Sequence, residues 1–138
     1  MKGILTLLLC AVQIQLPAQK IDKQQLVGHW KFQEHFLLLK NGRKFVVPII
    51  LECATWMTFA DDAYQKVDII NQEDTVVETG KWKLEDGKTL VIHDINSALV
   101  KKLGYADSVV YIVKRVDKNE LLLGTDTTRN AFDLYTRE

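Results

Sequence analysis

The chain has 138 residues, with 18 Lys and Arg against 18 Asp and Glu, so its formal charge is zero. No basic run or stripe interrupts that balance, which leaves a nucleic-acid partner without an electrostatic footprint. One single-domain length and 47% apolar residues fit a globular protein with a real core.

The N-terminus reads as an export signal at residues 1–18. Lys2 supplies a positive start, Ile4 to Val12 is a short apolar run, and Leu16-Pro17-Ala18 offers a small residue at the cut. The run is shorter than the ~20 residues a membrane span needs, and no transmembrane candidate follows it. The mature domain then comprises residues 19–138, exported to a periplasm or secreted. Leu7-Leu8-Leu9-Cys10 has the leucines of a lipoprotein signal but lacks the small residue before the cysteine, so a lipid anchor at Cys10 is the lesser reading. Cys53, alone in the mature chain, has no internal disulfide partner and sits in an apolar run, as a buried inert thiol does.

At Leu26-Val27-Gly28-His29-Trp30-Lys31-Phe32 a Gly-x-Trp step opens the first strand. Gly28 lets the backbone turn without a Cβ, and Trp30, Phe32, Glu34, Phe36 and Leu38 alternate with His29, Lys31, Gln33 and His35. That is the period of a half-buried strand. Strands are predicted at 28–40, 43–51, 53–60, 63–70, 75–85, 88–94, 108–116, 120–125 and 130–136. They are rich in Val, Ile, Thr, Phe, Tyr and Trp. Asn41-Gly42 and Asp86-Gly87 suit tight hairpin turns. Asp61-Asp62, Asn71-Gln72-Glu73-Asp74, Asp117-Lys118-Asn119 and Asp126-Thr127-Thr128 punctuate the rest. Between strands, Asn96 to Gly104 carries an N-cap, late lysines and a terminal glycine, and reads either as a short helix over 97–103 or as a crossover loop. The expected fold is all-β: a single antiparallel up-and-down barrel of eight or nine strands over residues 20–137, with one short helix that would cover an open end.

The order of these motifs resembles the small lipocalin-like domains of exported bacterial proteins. The similarity runs from Gly28-x-Trp30 through Trp56-Met57-Thr58-Phe59 and Gly80-Lys81-Trp82-Lys83-Leu84 to the hairpin of Tyr111–Val116 and Glu120–Leu123, about residues 26–136. It implies that Trp30 plugs one barrel end with Arg137 lying across it. Gly28 and Trp82 would be structural, and a small apolar ligand is often held inside. Two departures stand out: no long helix follows the last strand, and no disulfide pins the terminus.

Chemistry is harder to place. His29 and His35 share a strand face but lie roughly ~20 Å apart at ~3.3 Å per residue, so they cannot share a metal. His93 has to pair across strands to do so, and no metal or other cofactor is expected. There is no Gly-x-Ser-x-Gly elbow, and no catalytic residues are assigned. Glu34 shares the parity of Trp30, so either a bulge turns it to water or it is a polar anchor inside the barrel. If a cavity exists, Phe36, Trp56, Tyr64 and Tyr111 are its expected walls and Glu34 its anchor. The residues then suit a non-enzymatic exported module that carries or senses a small, largely apolar ligand. The alternative is a filled barrel used for envelope protein interaction or assembly. The two-faced apolar run at 45–51 favours it, because its outward half needs cover from self-association or an envelope partner.

Overall fold

The computed structural model describes residues 20–48, 53–72, 74–125 and 130–138. The expected signal segment with Cys10, residues 49–51 of the second apolar run and the turn at 126–128 lie outside the described residues. The elements run α1 (Lys23–Leu26), β1 (Gly28–Leu38), β2 (Lys44–Val46), β3 (Cys53–Ala60), β4 (Ala63–Ile70), β5 (Asp74–Glu85), β6 (Thr89–Asn96), α2 (Ala98–Leu103), β7 (Val109–Val116), β8 (Glu120–Gly124) and β9 (Ala131–Arg137). All strand pairings are antiparallel between neighbours, and β1 also pairs with β9. Eight strands therefore close into a barrel, with β2 as an extra short strand beside the upper half of β1.

The floor of the barrel is a dry aromatic layer. Trp30, Trp82, Phe59, Met57, Leu26, Leu90, Ile92, Leu121 and Leu123 are essentially inaccessible. Each such side chain contributes about 1.5–3 kcal/mol by leaving water. Phe59 bridges Trp82 at 5.1 Å edge-on and Tyr64 at 5.7 Å between ring centres. Helix α1, which the sequence reading passed over, seals this end. Asp22 caps it by accepting from Gln24, Gln25 closes a capping box, and Leu26 drops into the core. The backbone carbonyl of Leu26 accepts from Trp30 Nε1 at 2.9 Å. Arg137 lies across the indole, its guanidinium carbon 4.1 Å from the ring centre, while donating to the carbonyls of Val27 and Gln25. Gly28 has φ +146°, and a Cβ there would collide with Nη1 of Arg137. The glycine, the tryptophan and the arginine are thus one device.

Helix α2 forms as a two-turn crossover between β6 and β7 at the opposite end. Ser97 caps it through Val100 N–H at 3.1 Å, and Gly104 ends it in the left-handed region. Val100 packs against the core, whereas Leu103 is exposed. Three bulges break strict alternation, between Phe32 and Glu34, Thr79 and Lys81, and Val113 and Arg115. At the second, a Cβ on Gly80 would stand 2.9 Å from the backbone oxygen of His93. Gly80→Ala is therefore expected to destabilise by about 1–3 kcal/mol through overpacking against backbone, measured as a lower urea midpoint at unchanged slope.

Candidate functional site

The bulge in β1 decides what faces inward. Trp30 pairs with Arg137 and Phe32 with Tyr135, but Glu34 pairs with Leu134 and His35 with Asp133, so Gln33 is the extra residue. A one-residue insertion exchanges the two faces of everything beyond it. Gln33 and Glu34 consequently both lie on the outer wall, Gln33 donating to Thr136 Oγ1 at 2.7 Å and Glu34 accepting from Lys44 of β2. Phe36 is turned the same way. It stacks on Phe132 at 5.2 Å, under the Lys44 ammonium and apart from the main core. The expectation that Glu34 anchors a ligand and Phe36 walls a cavity is corrected: both belong to the exterior. Trp56 is corrected as well. It alternates with the inward Met57, takes Lys31 over its ring, and donates to Glu138 on the outer face. A Glu34→Gln change removes only a surface ion pair, worth about 0–1 kcal/mol. It is expected to leave any ligand binding unaltered in a calorimetric titration.

The same bulge delivers His35 into the barrel. Its Nδ1 donates to Oδ1 of Asp133 at 2.6 Å. Asp133 alternates with the buried Tyr135 on β9, opposite Leu123 of β8. Burial pushes the Asp133 carboxyl above its ordinary value, against the opposing pull of His35.

The facing wall is equally polar. On β4, Tyr64, Lys66 and Asp68 point inward, since Tyr64 pairs with the buried Phe59. Tyr64 donates to Glu78 of β5 at 3.2 Å, and Thr55 of β3 donates to Asp68 at 2.6 Å. The Lys66 ammonium lies 3.7 Å from Asp68 and 3.9 Å from Glu78, between the two carboxylates. Tyr111 enters from β7, opposite Leu90. Burial, then the charges of Asp133 and Glu78, push its phenol up to about 12. Tyr64 and Tyr135 are held up more strongly, again chiefly by burial.

Above the aromatic floor the inward faces of the strands therefore carry a polar layer, or chamber, of three tyrosines, three carboxylates, one lysine and one histidine. Asp133, Glu78, Asp68 and Lys66 keep 17%, 18%, 22% and 32% side-chain exposure, so this polar layer stays partly in contact with solvent. Of the expected walls, Tyr64 and Tyr111 are in it. His35, Lys66, Asp68, Glu78, Asp133 and Tyr135 were not anticipated. Their signal was present in β4, where Tyr64, Lys66 and Asp68 alternate with Val67 and Ile69.

Other features lie away from this chamber. Cys53 is a free, half-buried thiol at the upper end of β3. A recess of about 290 Å³ opens beside it, lined by Ala54, Ile69 and Gln72. A cleft of about 480 Å³ runs between Lys20–Gln25 and the outer side of β7, past Lys88, Lys114 and Arg115. Glu120 already pairs with Arg115 there at 2.8 Å. His29 binds Thr58 and His93 lies beside Asp94, apart from His35. Among the described residues no group of three or more His, Cys, Asp or Glu side chains is arranged to hold a metal. No described helix is long and apolar enough to cross a membrane.

No family model and no curated protein matches the chain. Solved structures do. A lipocalin-like protein from Bacteroides uniformis superposes with a TM-score of 0.60 at 12% identity, over 83% of this chain and 99% of that one. An uncharacterized protein from Bacteroides eggerthii gives 0.57 at 12% identity, over 82% and 99%. At that identity the likeness concerns the fold, and the fold is lipocalin-like.

Proposed function

We propose that this lipocalin-like barrel is an exported module that carries or senses a small ligand, admitted through the open end into the tyrosine-lined chamber. The observation that carries the reading is the division of the interior. The floor is packed solid by Trp30, Phe59 and Trp82, while the half above it holds polar groups that water still reaches. A filled structural barrel has no use for three carboxylates beneath its rim, because burying them costs free energy that a packed apolar layer avoids. The largely apolar ligand expected from the sequence is accordingly revised to an amphipathic one, whose polar end reaches the chamber. Its apolar part meets the rim, where Leu38, Leu39, Phe45 and Tyr105 are exposed. Export rests on Lys2, the apolar run at 4–12 and Leu16-Pro17-Ala18. A carrier or sensor role is preferred to catalysis because the chain carries no nucleophile elbow.

The same exposed Leu38, Leu39, Phe45 and Val46 favour a second reading, an envelope interaction or assembly domain. Native mass spectrometry of protein taken from its source separates the two. A bound small molecule, released by denaturation from a monomer, is expected. A ligand-free oligomer, with no saturable binding of amphipathic probes, would sink the carrier reading.

A further inference from the structure

The end of the barrel opposite α1 carries two exposed apolar outcrops. Leu38, Leu39, Phe45 and Val46, on the β1–β2 hairpin, are 40%, 45%, 50% and 46% exposed. Leu103, which ends α2, and Tyr105 just beyond it are 55% and 62% exposed. The crossover between β6 and β7 lies across the ring from β1, so the two outcrops flank that end from opposite sides. The other large apolar side chains exposed among the described residues, Val77 and Val110, lie on the outer wall.

The surrounding charges favour one kind of cover. Residues 38–46 hold Lys40, Arg43 and Lys44, residues 98–105 hold Lys101 and Lys102, and neither stretch contains an acid. The hairpin turns at the floor are acidic instead, with Asp61, Asp62, Asp86 and Asp117 against Lys88 and Lys118. A chain of zero net charge is thus polarised along the barrel axis, with its apolar outcrops at the basic end. Cations beside exposed apolar and aromatic side chains match a lipid surface, which sets anionic head groups above acyl chains. Lysine and arginine keep their charges among the head groups while the apolar residues sink below them.

The shape of the hairpin separates lipid from a protein partner. Val46 lies beside Phe36 and Leu38 beside Lys44 on the outer face, whereas Phe45 lies beside Leu37 on the other. A docked protein covers one side of such a ribbon, but fluid lipid closes around both.

We propose that this end of the barrel docks on anionic membrane surfaces, the β1–β2 hairpin and the segment after α2 entering the interface together. The inference goes beyond the carrier reading and does not depend on a ligand inside the barrel. Its test is co-sedimentation of the full chain with vesicles of phosphatidylcholine, alone or mixed equally with phosphatidylglycerol. Binding to the anionic vesicles is expected to be about tenfold or more tighter, and to weaken as salt is raised. Lys40→Gln combined with Arg43→Gln should remove most of that preference. Phe45→Ser should weaken binding to the anionic vesicles by about tenfold. Lys88→Gln combined with Lys118→Gln, the same charge change at the floor, should leave both unaltered. Phe45→Trp places a reporter on the hairpin, and its added fluorescence should be quenched by brominated lipid. The apolar run at 4–12 is common to all these chains, so differences among them report the hairpin. Absence of vesicle binding, binding unchanged by Phe45→Ser, or an unquenched Phe45→Trp chain overturns the proposal. A floor variant that loses as much preference as the hairpin variant overturns the location. An oligomer that Phe45→Ser dissociates, with no vesicle binding, overturns it in favour of a second copy of the chain. Small-ligand binding in the chamber is read separately, by native mass spectrometry, and survives each of these failures.

Discussion

Trp30→Ala is expected to cost the fold about 3–5 kcal/mol, the range for deleting a large buried aromatic. The indole is fully buried, and its N–H satisfies the last carbonyl of α1, so the truncation leaves a cavity and an orphaned acceptor together. Arg137 would also lose the ring it covers, with its guanidinium still bonded to Val27 and Gln25. Against a typical total of about 5–15 kcal/mol, the loss should appear as a large drop in urea midpoint and early fraying of residues 20–27. A variant that keeps its melting temperature would show that the floor does not depend on this plug. Trp30→Phe separates the contributions, because it restores much of the volume without the N–H.

Alkali should unfold this protein in one cooperative step, before its interior phenols ionise. Tyr111 is pushed from 10.0 up to about 12, and Tyr64 and Tyr135 are raised as well, all three chiefly by burial. A group whose pKa is raised in the folded state keeps its proton where the unfolded chain has lost it. Its contribution is thus complete below pH ~10 and is lost as pH rises through ~12. For Tyr111 two pKa units correspond to about 3 kcal/mol, and the other two act in the same direction. Phenolate absorbance and far-ultraviolet circular dichroism should therefore change together on raising the pH. Smooth ionisation of these tyrosines near pH ~10 with an unchanged dichroism spectrum would contradict their burial. Tyr111→Phe should move the transition to higher pH.

Most of the architecture was legible in the residues, and the reason is local. Asn41-Gly42 and Asp86-Gly87 supply positive-φ turns, Asp86, Gly87 and Gly42 among them, and these fix the hairpins. Strands β3 and β4 lie over 53–60 and 63–70 as the alternation predicts, and the short helix follows Ser97 and stops at Gly104. The second strand is shorter than expected, Lys44–Val46 against 43–51, with residues 49–51 outside the described part. Helix α1 was missed because a four-residue helix has almost no periodicity, although Asp22 and Gln25 carried its capping box. The chamber was mostly illegible. Alternation counted from Trp30 puts Glu34 inside, and nothing in the letters Phe32-Gln33-Glu34 announces that Gln33 is the extra residue. Phe36 and Phe132 added to the error, since they are buried although they face outward against each other and Lys44. Polar groups lining the barrel while Val67 and Val77 occupy its exterior reverse the usual assumption that the apolar side of a strand is the inner one.

The exchange of partners along β1 also sets a gradient in how the wall breathes. From Gly28 to Lys31 the strand is zipped to β3, but above Lys31 its neighbour on that side is β2, which reaches no further than the Leu38 end. Among the described residues, Cys53 to Thr55 of β3 therefore hold on through β4 alone. In an amide-exchange experiment the lower rungs, around Trp30, Met57 and Trp82, should open only with the whole molecule. The amides of Cys53 to Thr55 that point away from β4 should exchange by local fluctuations far cheaper than global unfolding. The seam lets the rim widen on its own while the floor stays shut, so a guest could come and go without the protein ever unfolding.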